Sequence, residues 1–325
     1  MKVSVIIVSY NTSAMLRECL ESLFKYPGFH ELEVFVVDND SKDDSVAVVR
    51  ENFKQVCLIE NKINAGFAAA NNQAYEVATG QYIVLLNPDA YVKPGAMENG
   101  VAFMEDHPDC GLCGGRLVNL DGDLDPSARR FPNSFYKFFT LSGLSDRYSS
   151  SRIFGRGDFK YFDHNSVQEV DWVPGTFTIY RRRMLTQTGL FDERFFIYYE
   201  ETDLCLRANR NGWRVFFVPD AEVVHVGGGS ARTRKDQKFD KGGSQVLKFR
   251  MRSEYLYFRK NRGLFSLLAN AGVEIGWHAL RYVANLRPGG ENRSLKRAES
   301  GGFVSQGLQA LWDTRMGRFA PPIPW

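Results

Sequence analysis

Residues 3–10 of the chain, VSVIIVSY, form an apolar run that only Ser4 interrupts before it ends in serine and tyrosine. A run of this kind, without regular polar alternation, indicates a strand covered on both faces, as in a parallel sheet flanked by helices. Residues 13–26 then carry apolar side chains at helical spacing, with Thr12 or Ser13 as the N-cap and Pro27 just beyond the end. The N-terminus therefore predicts a strand followed by a helix.

The same alternation continues through the first hundred residues. Further strands are predicted at 32–40, 56–61 and 81–87, and helices at 41–53 and 65–78. Such alternation predicts an α/β fold with a doubly wound, mainly parallel sheet, in which ligands bind beyond the carboxyl ends of the strands.

The pattern is looser after residue 96. We expect, in order, a helix at 96–108, a strand at 110–119, loops and short strands over 119–170, a strand at 171–182, a helix from 182, a helix at 200–212, and two strands joined by a turn over 213–229. The rest is predicted to be mostly helical. The simplest division is a catalytic domain over 1–243 and a helical, basic extension over 244–325.

Composition indicates a globular protein in a reducing compartment. The 325 residues are 44% hydrophobic and 24% charged, and the five scattered cysteines do not suggest a disulfide framework. No run of about 18 apolar residues is present, and the N-terminal run is too short for a signal peptide, so we expect a cytoplasmic protein without a spanning helix.

Charge is unevenly distributed along the chain. Residues 1–226 contain 23 Lys and Arg against 31 Asp and Glu, whereas residues 227–325 contain 18 against 7. A basic tail on an acidic body indicates an anionic partner such as a diphosphate, an anionic lipid or nucleic acid, or else a solvated helical surface.

Acidic and histidine side chains recur where predicted strands end or helices begin. Asp38 and Asp89 close two strands, the sequence EETD opens the helix at 200, and His225 closes the last strand. Four such positions in one α/β sheet are better explained by a shared site than by separate helix caps. No GxGxxG, P-loop or GxSxG motif is present, which argues against a dinucleotide site, a P-loop NTPase and a serine hydrolase.

Taken together, these segments resemble glycosyltransferase family 2, especially its rhamnosyltransferase-like branch. The resemblance spans roughly residues 3–260 and rests on the stretches VSVIIVSYN, VVDNDSKDDS, NKINAGFAAANNQA, LLNPDA, WVPGTFTIYRRRML, GLFDERFFIYYEETDLCLRANRNGW and VVHVGGGS. It implies a GT-A fold with nucleotide- and acceptor-binding halves. It also implies an inverting, metal-dependent transfer of a sugar from a nucleotide diphosphate donor.

The resemblance implies roles for individual residues. The catalytic base is expected to be Glu201, with Glu200 as the second candidate and Asp203 as an orienting or capping residue. The metal, Mg²⁺ or Mn²⁺, is expected on Asp89 and His225, because Asn87 replaces the first acid of the family's DxD motif. The residues expected to contact the donor are Ser9, Tyr10, Asn11, Asp38, Asn64, Gly66, Phe67, Asn87, Arg129, Arg232 and Arg234. Those expected on the acceptor side are Trp172, Gly175 and Thr176.

Several partners follow from the same resemblance. The first candidate donor is dTDP-rhamnose, with UDP-hexose or UDP-galactofuranose as the alternative, and the acceptor is a saccharide carried on a lipid diphosphate. Residues 264–286 read as an amphipathic helix that contacts a membrane, a second copy in a homodimer, or the enzyme's own body. We expect no nucleic-acid partner. The competing functions are a nucleotidyltransferase and a binding module without catalysis.

Overall fold

The computed structural model describes residues 1–28, 31–227, 245–286 and 290–322. Arg232 and Arg234 lie outside these ranges. Within them, the N-terminal alternation is confirmed, in the order β1 (Lys2–Ser9), α1 (Ser13–Lys25), β2 (Glu31–Asp38), α2 (Ser45–Asn52), β3 (Cys57–Glu60), α3 (Phe67–Val77) and β4 (Tyr82–Leu86).

The second half of the chain adds shorter strands and longer helices. These are β5 (Ala90–Val92), α4 (Ala96–Asp106), β6 (Cys110–Val118), β7 (Leu124–Asp125), α5 (Ser134–Leu141), α6 (Leu144–Arg147), β8 (Gln168–Val170), β9 (Phe177–Arg181), α7 (Arg182–Thr188), α8 (Glu200–Arg210), β10 (Arg214–His225), α9 (Gln245–Ala284) and α10 (Glu291–Asp313).

All the strands of the described chain join one sheet. Its order is β3-β2-β1-β4-β9-β6-β10-β5, with β7 on β6 and β8 on β10. The β1/β2, β2/β3, β1/β4 and β6/β10 pairs are parallel, and β9 runs antiparallel between β4 and β6. The expected doubly wound mixed sheet is therefore confirmed.

Helices cover both faces of the sheet, as the buried run of β1 requires. Val3, Val5 and Ile7 pack with α1, α2 and α4, whereas Ile6 and Val8 face α3, α7 and α8. Because successive side chains of a strand point to opposite faces, a strand buried on both sides must be apolar at consecutive positions.

Three expectations about elements are wrong. Residues 134–141 and 144–147 are helical, not loops and short strands, and Asn133 caps the first helix by accepting from the Phe135 and Tyr136 N–H groups at 3.0 Å each. The strand expected at 171–182 begins only at Phe177. The two strands expected over 213–229 are one strand, β10.

The turn expected at Pro219–Asp220 is a local irregularity within β10. Residues on both sides of it pair in parallel with β6, and the register shifts between Val218 and Glu222. A bulge of this kind bends a strand without reversing it, so β10 carries His225 to the same edge of the sheet as the ends of β1 and β4.

The C-terminal helices pack on α8 and the loop before it. Phe195 and Leu206 share an apolar cluster with Met251, Tyr255 and other residues of α9 and α10. No helix in the described ranges is both long and apolar enough to span a bilayer.

Candidate active site

A cavity of about 450 Å³ opens where β1, β2 and β4 end and where α3 and α8 begin. This is the edge at which α/β sheets of this kind bind ligands. Of the expected site residues, the cavity is lined by Tyr10, Asn64, Gly66, Phe67, Asn87, Asp89, Trp172, Gly175, Thr176, Glu200, Glu201 and His225.

Ser9, Asn11 and Asp38, which were expected to contact the donor, do not line the cavity. The Ser9 and Thr12 hydroxyl groups are hydrogen-bonded to each other at 2.9 Å. Thr12 is the N-cap residue of α1, but its side chain makes no capping hydrogen bond to the helix. Asn11 accepts from the Lys42 N–H at 2.6 Å, and this contact joins the loops that follow β1 and β2.

Asp38 keeps one carboxylate oxygen without a partner. Its Oδ2 accepts from the Ser41 N–H at 2.9 Å, while its Oδ1 is buried with no hydrogen-bond partner in the described structure. Burial raises the pKa of Asp38. An unpaired buried oxygen is costly unless a ligand donor completes it.

The start of α3 is fixed to the loop before α8. Gly66 has φ +88°, and a Cβ there would lie 2.5 Å from the Phe196 carbonyl oxygen, so only glycine fits both the conformation and the space. The Phe67 N–H donates to that carbonyl at 2.6 Å. Asn64 accepts from the Gly66 N–H at 3.0 Å, and Asn39 donates to the Gly66 carbonyl at 3.1 Å.

Asp89, His225 and Asp125 form what we call the histidine corner. His225 Nε2 lies 3.8 Å from Asp89 Oδ1, and its Nδ1 is 2.9 Å from Asp125 Oδ2. Burial works against a charged imidazole, yet the bond to Asp125 and the charge of Asp89 raise the pKa of His225. The same bond lowers the pKa of Asp125.

The histidine corner fits a divalent cation. A carboxylate and an imidazole face each other, and a second carboxylate holds the far nitrogen of the ring, which is the arrangement that fixes the tautomer of a metal-ligating histidine. No group of three or more His, Cys, Asp or Glu side chains in the described ranges could enclose a metal. The two ligands alone would leave positions for diphosphate oxygens and water.

Glu200 and Glu201 form the glutamate corner. Glu200 is 2% exposed, and the Oε2 atom of each residue is buried without a hydrogen-bond partner in the described structure. Burial and the neighbouring Glu201 raise the pKa of Glu200 well above its usual range. Burial also raises the pKa of Glu201, although the Glu200 side chain and the Gly175 N–H oppose this by donating to it.

The backbone before the glutamate corner is strained. Tyr198 and Tyr199 both have φ +69°, and each such non-glycine residue costs on the order of 1–3 kcal/mol. Helix α9 holds this segment in place: Ser253 donates to the Ile197 carbonyl at 2.7 Å, and the Tyr199 hydroxyl donates to Glu254 at 2.9 Å.

Helix α9 is interrupted at Gly263, and Glu254 belongs to a buried ion network that links α5 to the parts of α9 before and after that residue. It is 1% exposed and lies 2.8 Å from Lys137 Nζ and 3.0 Å from Arg250 Nη1, and both cations also pair with Glu274. Two acids are thus matched by two bases. Because breaking one side of a buried pair leaves an uncompensated charge, this network fixes how the C-terminal helices sit on the site.

Of the remaining expected site residues, Asp203 and Arg129 lie away from the cavity lining, whereas Trp172 lies in it. Asp203 is fully buried, 2.8 Å from Arg207 Nε and 2.7 Å from Lys260 Nζ, so it ties α8 to α9. The Arg129 carbonyl accepts hydrogen bonds from the N–H groups of Asp171 and Trp172. The guanidinium of Arg129 lies 3.8 Å from the Asp158 carboxylate. Trp172 lines the cavity while its indole N–H donates to the Arg130 carbonyl at 3.0 Å.

The sequence reasoning missed part of the site. The cavity is also lined by Val8, Asn39, Pro88, Pro174, Phe196, Ile197, Tyr198, Gln245, Val246 and Phe249. Asn39 directly follows Asp38, and that position is a signal that could have been used. Asp125 and the residues of α9 reach the site only through tertiary packing, and nothing local in the sequence marks them.

Comparison with known proteins gives consistent relatives. The model of the family described as Glycosyl transferase family 2 matches residues 4–188. An N-acetylglucosaminyl-diphospho-decaprenol L-rhamnosyltransferase of Mycobacterium tuberculosis (strain H37Rv) is 27% identical over 240 residues, covering 68% of this chain and 75% of the relative. The rhamnosyltransferase WbbL of Escherichia coli (strain K12) is 26% identical over 242 residues, covering 69% and 83%.

Solved structures support the fold. The mannosyltransferase PcManGT from Pyrobaculum calidifontis, in complex with GDP-Man and Mn²⁺, superposes with a TM-score of 0.55 at 18% identity and covers 96% of this chain and 87% of that one. GalNAc-T7 with UDP, GalNAc and Mn²⁺ gives a TM-score of 0.56 at 15% identity, covering 99% and 58%. At these identities the likeness confirms the expected GT-A fold and nothing finer.

Proposed function

Because the chain belongs to glycosyl transferase family 2 and is a glycosyltransferase, we propose that it moves L-rhamnose from dTDP-rhamnose to a saccharide acceptor. Relatives named as rhamnosyltransferases, at 26–27% identity, support this sugar over UDP-hexose or UDP-galactofuranose. Family membership also decides against nucleotidyl transfer and a binding role without catalysis.

The observation that carries the proposal is that one cavity is lined by Asp89 and His225 of the histidine corner together with Glu200 and Glu201 of the glutamate corner. A sugar transfer needs a place for the charge of the departing diphosphate and a base for the acceptor hydroxyl. The two corners supply these two chemistries.

Glu201 is the base in this proposal. Burial raises the pKa of both glutamates, but the side chain of Glu200 and the Gly175 N–H oppose this rise at Glu201, whereas the neighbouring Glu201 adds to it at Glu200. Glu201 is therefore the member of the pair that loses its proton more readily. Glu201 takes the acceptor proton, the acceptor oxygen attacks the anomeric carbon in line, and the nucleotide diphosphate departs with inversion at that carbon.

Asp89 and His225 would hold a divalent cation, Mg²⁺ or Mn²⁺. When bound, such a cation neutralises the charge that develops on the leaving diphosphate. The Asp38 Oδ1 atom would accept from the ring N–H of the thymine, and Tyr10 and Asn39 would line the nucleoside.

The acceptor is proposed to be a saccharide carried on a lipid diphosphate, and the enzyme is proposed to work in the cytoplasm at the inner face of the cell membrane. The decaprenol named for the mycobacterial relative supports this class of acceptor. Trp172, Gly175 and Thr176 line the part of the cavity assigned to it.

The test is donor hydrolysis by the purified full chain across dTDP-rhamnose, UDP-glucose, UDP-galactofuranose and GDP-mannose, with Mg²⁺, Mn²⁺ or a chelator. We expect the fastest release of nucleotide diphosphate from dTDP-rhamnose, and none with the chelator. Faster hydrolysis of a UDP-sugar would mean that the donor is that sugar nucleotide and not dTDP-rhamnose. Equal rates of hydrolysis with and without the chelator would mean that the reaction needs no metal.

A further inference from the structure

Helix α9 is a hairpin of two arms. Its backbone leaves the helical conformation at Gly263, where φ is +81° and ψ is 178°. Asn270 donates to Glu254 at 3.0 Å, and Glu274 pairs with Arg250. The residue farther along the second arm, Glu274, contacts the residue that is farther from the bend in the first arm, Arg250. The second arm therefore runs back along the first.

The second arm has an outward apolar stripe, which we define as Phe265, Leu268, Leu280 and Val283. These side chains are 88%, 42%, 73% and 61% exposed. At 100° per residue they fall within an arc of about 120° and extend over about 27 Å of helix.

Small residues fill the stripe between these side chains. At Gly272 and Gly276, a Cβ would meet nothing within 4 Å, so this face is open. The charged residues and histidine of the arm, Glu274, His278 and Arg281, turn inward or toward α10: Glu274 and His278 are buried and Arg281 pairs with Glu299 at 2.9 Å.

Helix α5 widens the apolar surface. The ring of Phe138 meets that of Trp277 edge-on at 6.1 Å, and Phe135 is 74% exposed beside it. Exposed continuous apolar surface of this kind marks an interaction site, and aromatic rings suit a boundary between apolar and aqueous phases.

Exposed basic side chains lie on the helix that packs against the second arm and just after its end. Arg293, Lys296, Arg315 and Arg318 are exposed on α10 or just beyond its end, and residues 227–325 carry 18 Lys and Arg against 7 Asp and Glu. An amphipathic helix with an exposed apolar side, in a part of the chain with an excess of basic residues, matches an anionic lipid surface. Two copies of this chain would bring like charges together, which disfavours a dimer through the same face.

We propose that the second arm of α9, with α5 and α10 beside it, binds the surface of an anionic bilayer, with the apolar stripe entering the headgroup region. The first arm begins with Gln245, Val246 and Phe249 in the cavity lining, and the second arm returns toward that end. The bilayer would therefore lie beside the cavity. This proposal rests on the proposed function in one respect only, which is that the molecule reaching the cavity from the bilayer would be the lipid-linked acceptor.

The experiment measures binding of the full chain to vesicles of phosphatidylcholine alone or with about a third of phosphatidylglycerol. We expect binding to the anionic vesicles that weakens in about 1 M salt, where charges are screened beyond about 3 Å. The double variant Phe265→Glu/Leu280→Glu should bind at least tenfold more weakly. The control is Val77→Glu, which places one such charge on an apolar residue that is 54% exposed at the end of α3, and it should bind like the wild type.

Circular dichroism and donor hydrolysis without vesicles separate this proposal from folding and from the proposed function, because neither Phe265 nor Leu280 lines the cavity. Equal binding of the double variant and the wild type would overturn the proposal, as would equal binding to both kinds of vesicle. A dimer in analytical ultracentrifugation that the double variant dissociates would assign the stripe to a second copy and also overturn it.

Discussion

The two corners of the cavity use acidic residues in opposite ways. In the histidine corner, the bond between His225 and Asp125 holds the Asp125 carboxylate ionised and raises the pKa of the imidazole. In the glutamate corner, two acids share a buried space, and burial raises the pKa of both. In the first corner the pairing of unlike groups lowers the pKa of the carboxyl, and in the second the burial of two like groups raises the pKa of both carboxyls. The contrast shows how carboxylates in one cavity acquire different tasks from their neighbours.

The largest effect should come from removing the proposed proton acceptor of the glutamate corner. Glu201→Gln keeps the size of the side chain but cannot take a proton, so we expect turnover to fall by roughly 10²–10⁴-fold. Donor binding, measured by calorimetry in the presence of Mn²⁺, should change little because the histidine corner is intact.

Glu76→Gln, an exposed change on α3, is the matched control and should leave turnover as it is. If Glu200→Gln loses as much turnover as Glu201→Gln does, the two glutamates act as a unit. If Glu200→Gln alone is inactive, the base is Glu200 and the assignment is wrong.

A smaller effect is expected in the histidine corner, where Asp125 acts through His225. Asp125→Ala frees the ring to turn and should weaken Mn²⁺ binding by about 10–100-fold, the range usual for such outer partners. Asp125→Asn retains an oxygen acceptor for Nδ1 but no charge, and it should fall between the alanine variant and the wild type. Electron paramagnetic resonance titration of free Mn²⁺ measures this without the reaction.

The control is Asp121→Ala, which removes an exposed acid from the turn between β6 and β7. Its Mn²⁺ affinity should equal that of the wild type. Unchanged affinity in Asp125→Ala would mean that the ring of His225 is held by its other contacts, or that the cation binds elsewhere.

The two corners also differ in how far the sequence predicted them. Asp89, Glu200, Glu201 and His225 were found because parallel strands and the helices between them bring their ends to one edge. Asp125 was missed because only the short β6–β7 pairing places it beside His225.

The same limit applies to the fold. The regular alternation up to β4 follows from local periodicity, whereas the continuity of β10 depends on its pairing with β6 on both sides of the irregular residues. Phe249 lines the cavity although it lies 48 positions after Glu201 in the chain. Such contacts are set by packing, as between α9 and the loop before α8, and a single sequence carries no local sign of them.

The smallest effect should appear in stability against pH and concerns Glu200. A glutamate has an ordinary pKa of about 4.3, and burial raises that of Glu200 in the folded chain. At a pH below this ordinary pKa, Glu200 is protonated in both the folded and the unfolded chain, so its titration costs no folding stability. As the pH rises above it, the unfolded chain releases the proton and the folded chain retains it, so stability declines until the folded pKa is passed.

Glu200→Gln removes this titration. The melting temperature of the variant minus that of the wild type should therefore be larger at pH 8 than at pH 5. We expect the difference between the two pH values to be at least about 2 °C, measured by differential scanning calorimetry. Glu76→Gln, whose side chain is exposed, should show no such trend. A melting-temperature difference that is the same at both pH values would mean that Glu200 is ionised in the folded protein, and the contrast between the two corners would then be lost.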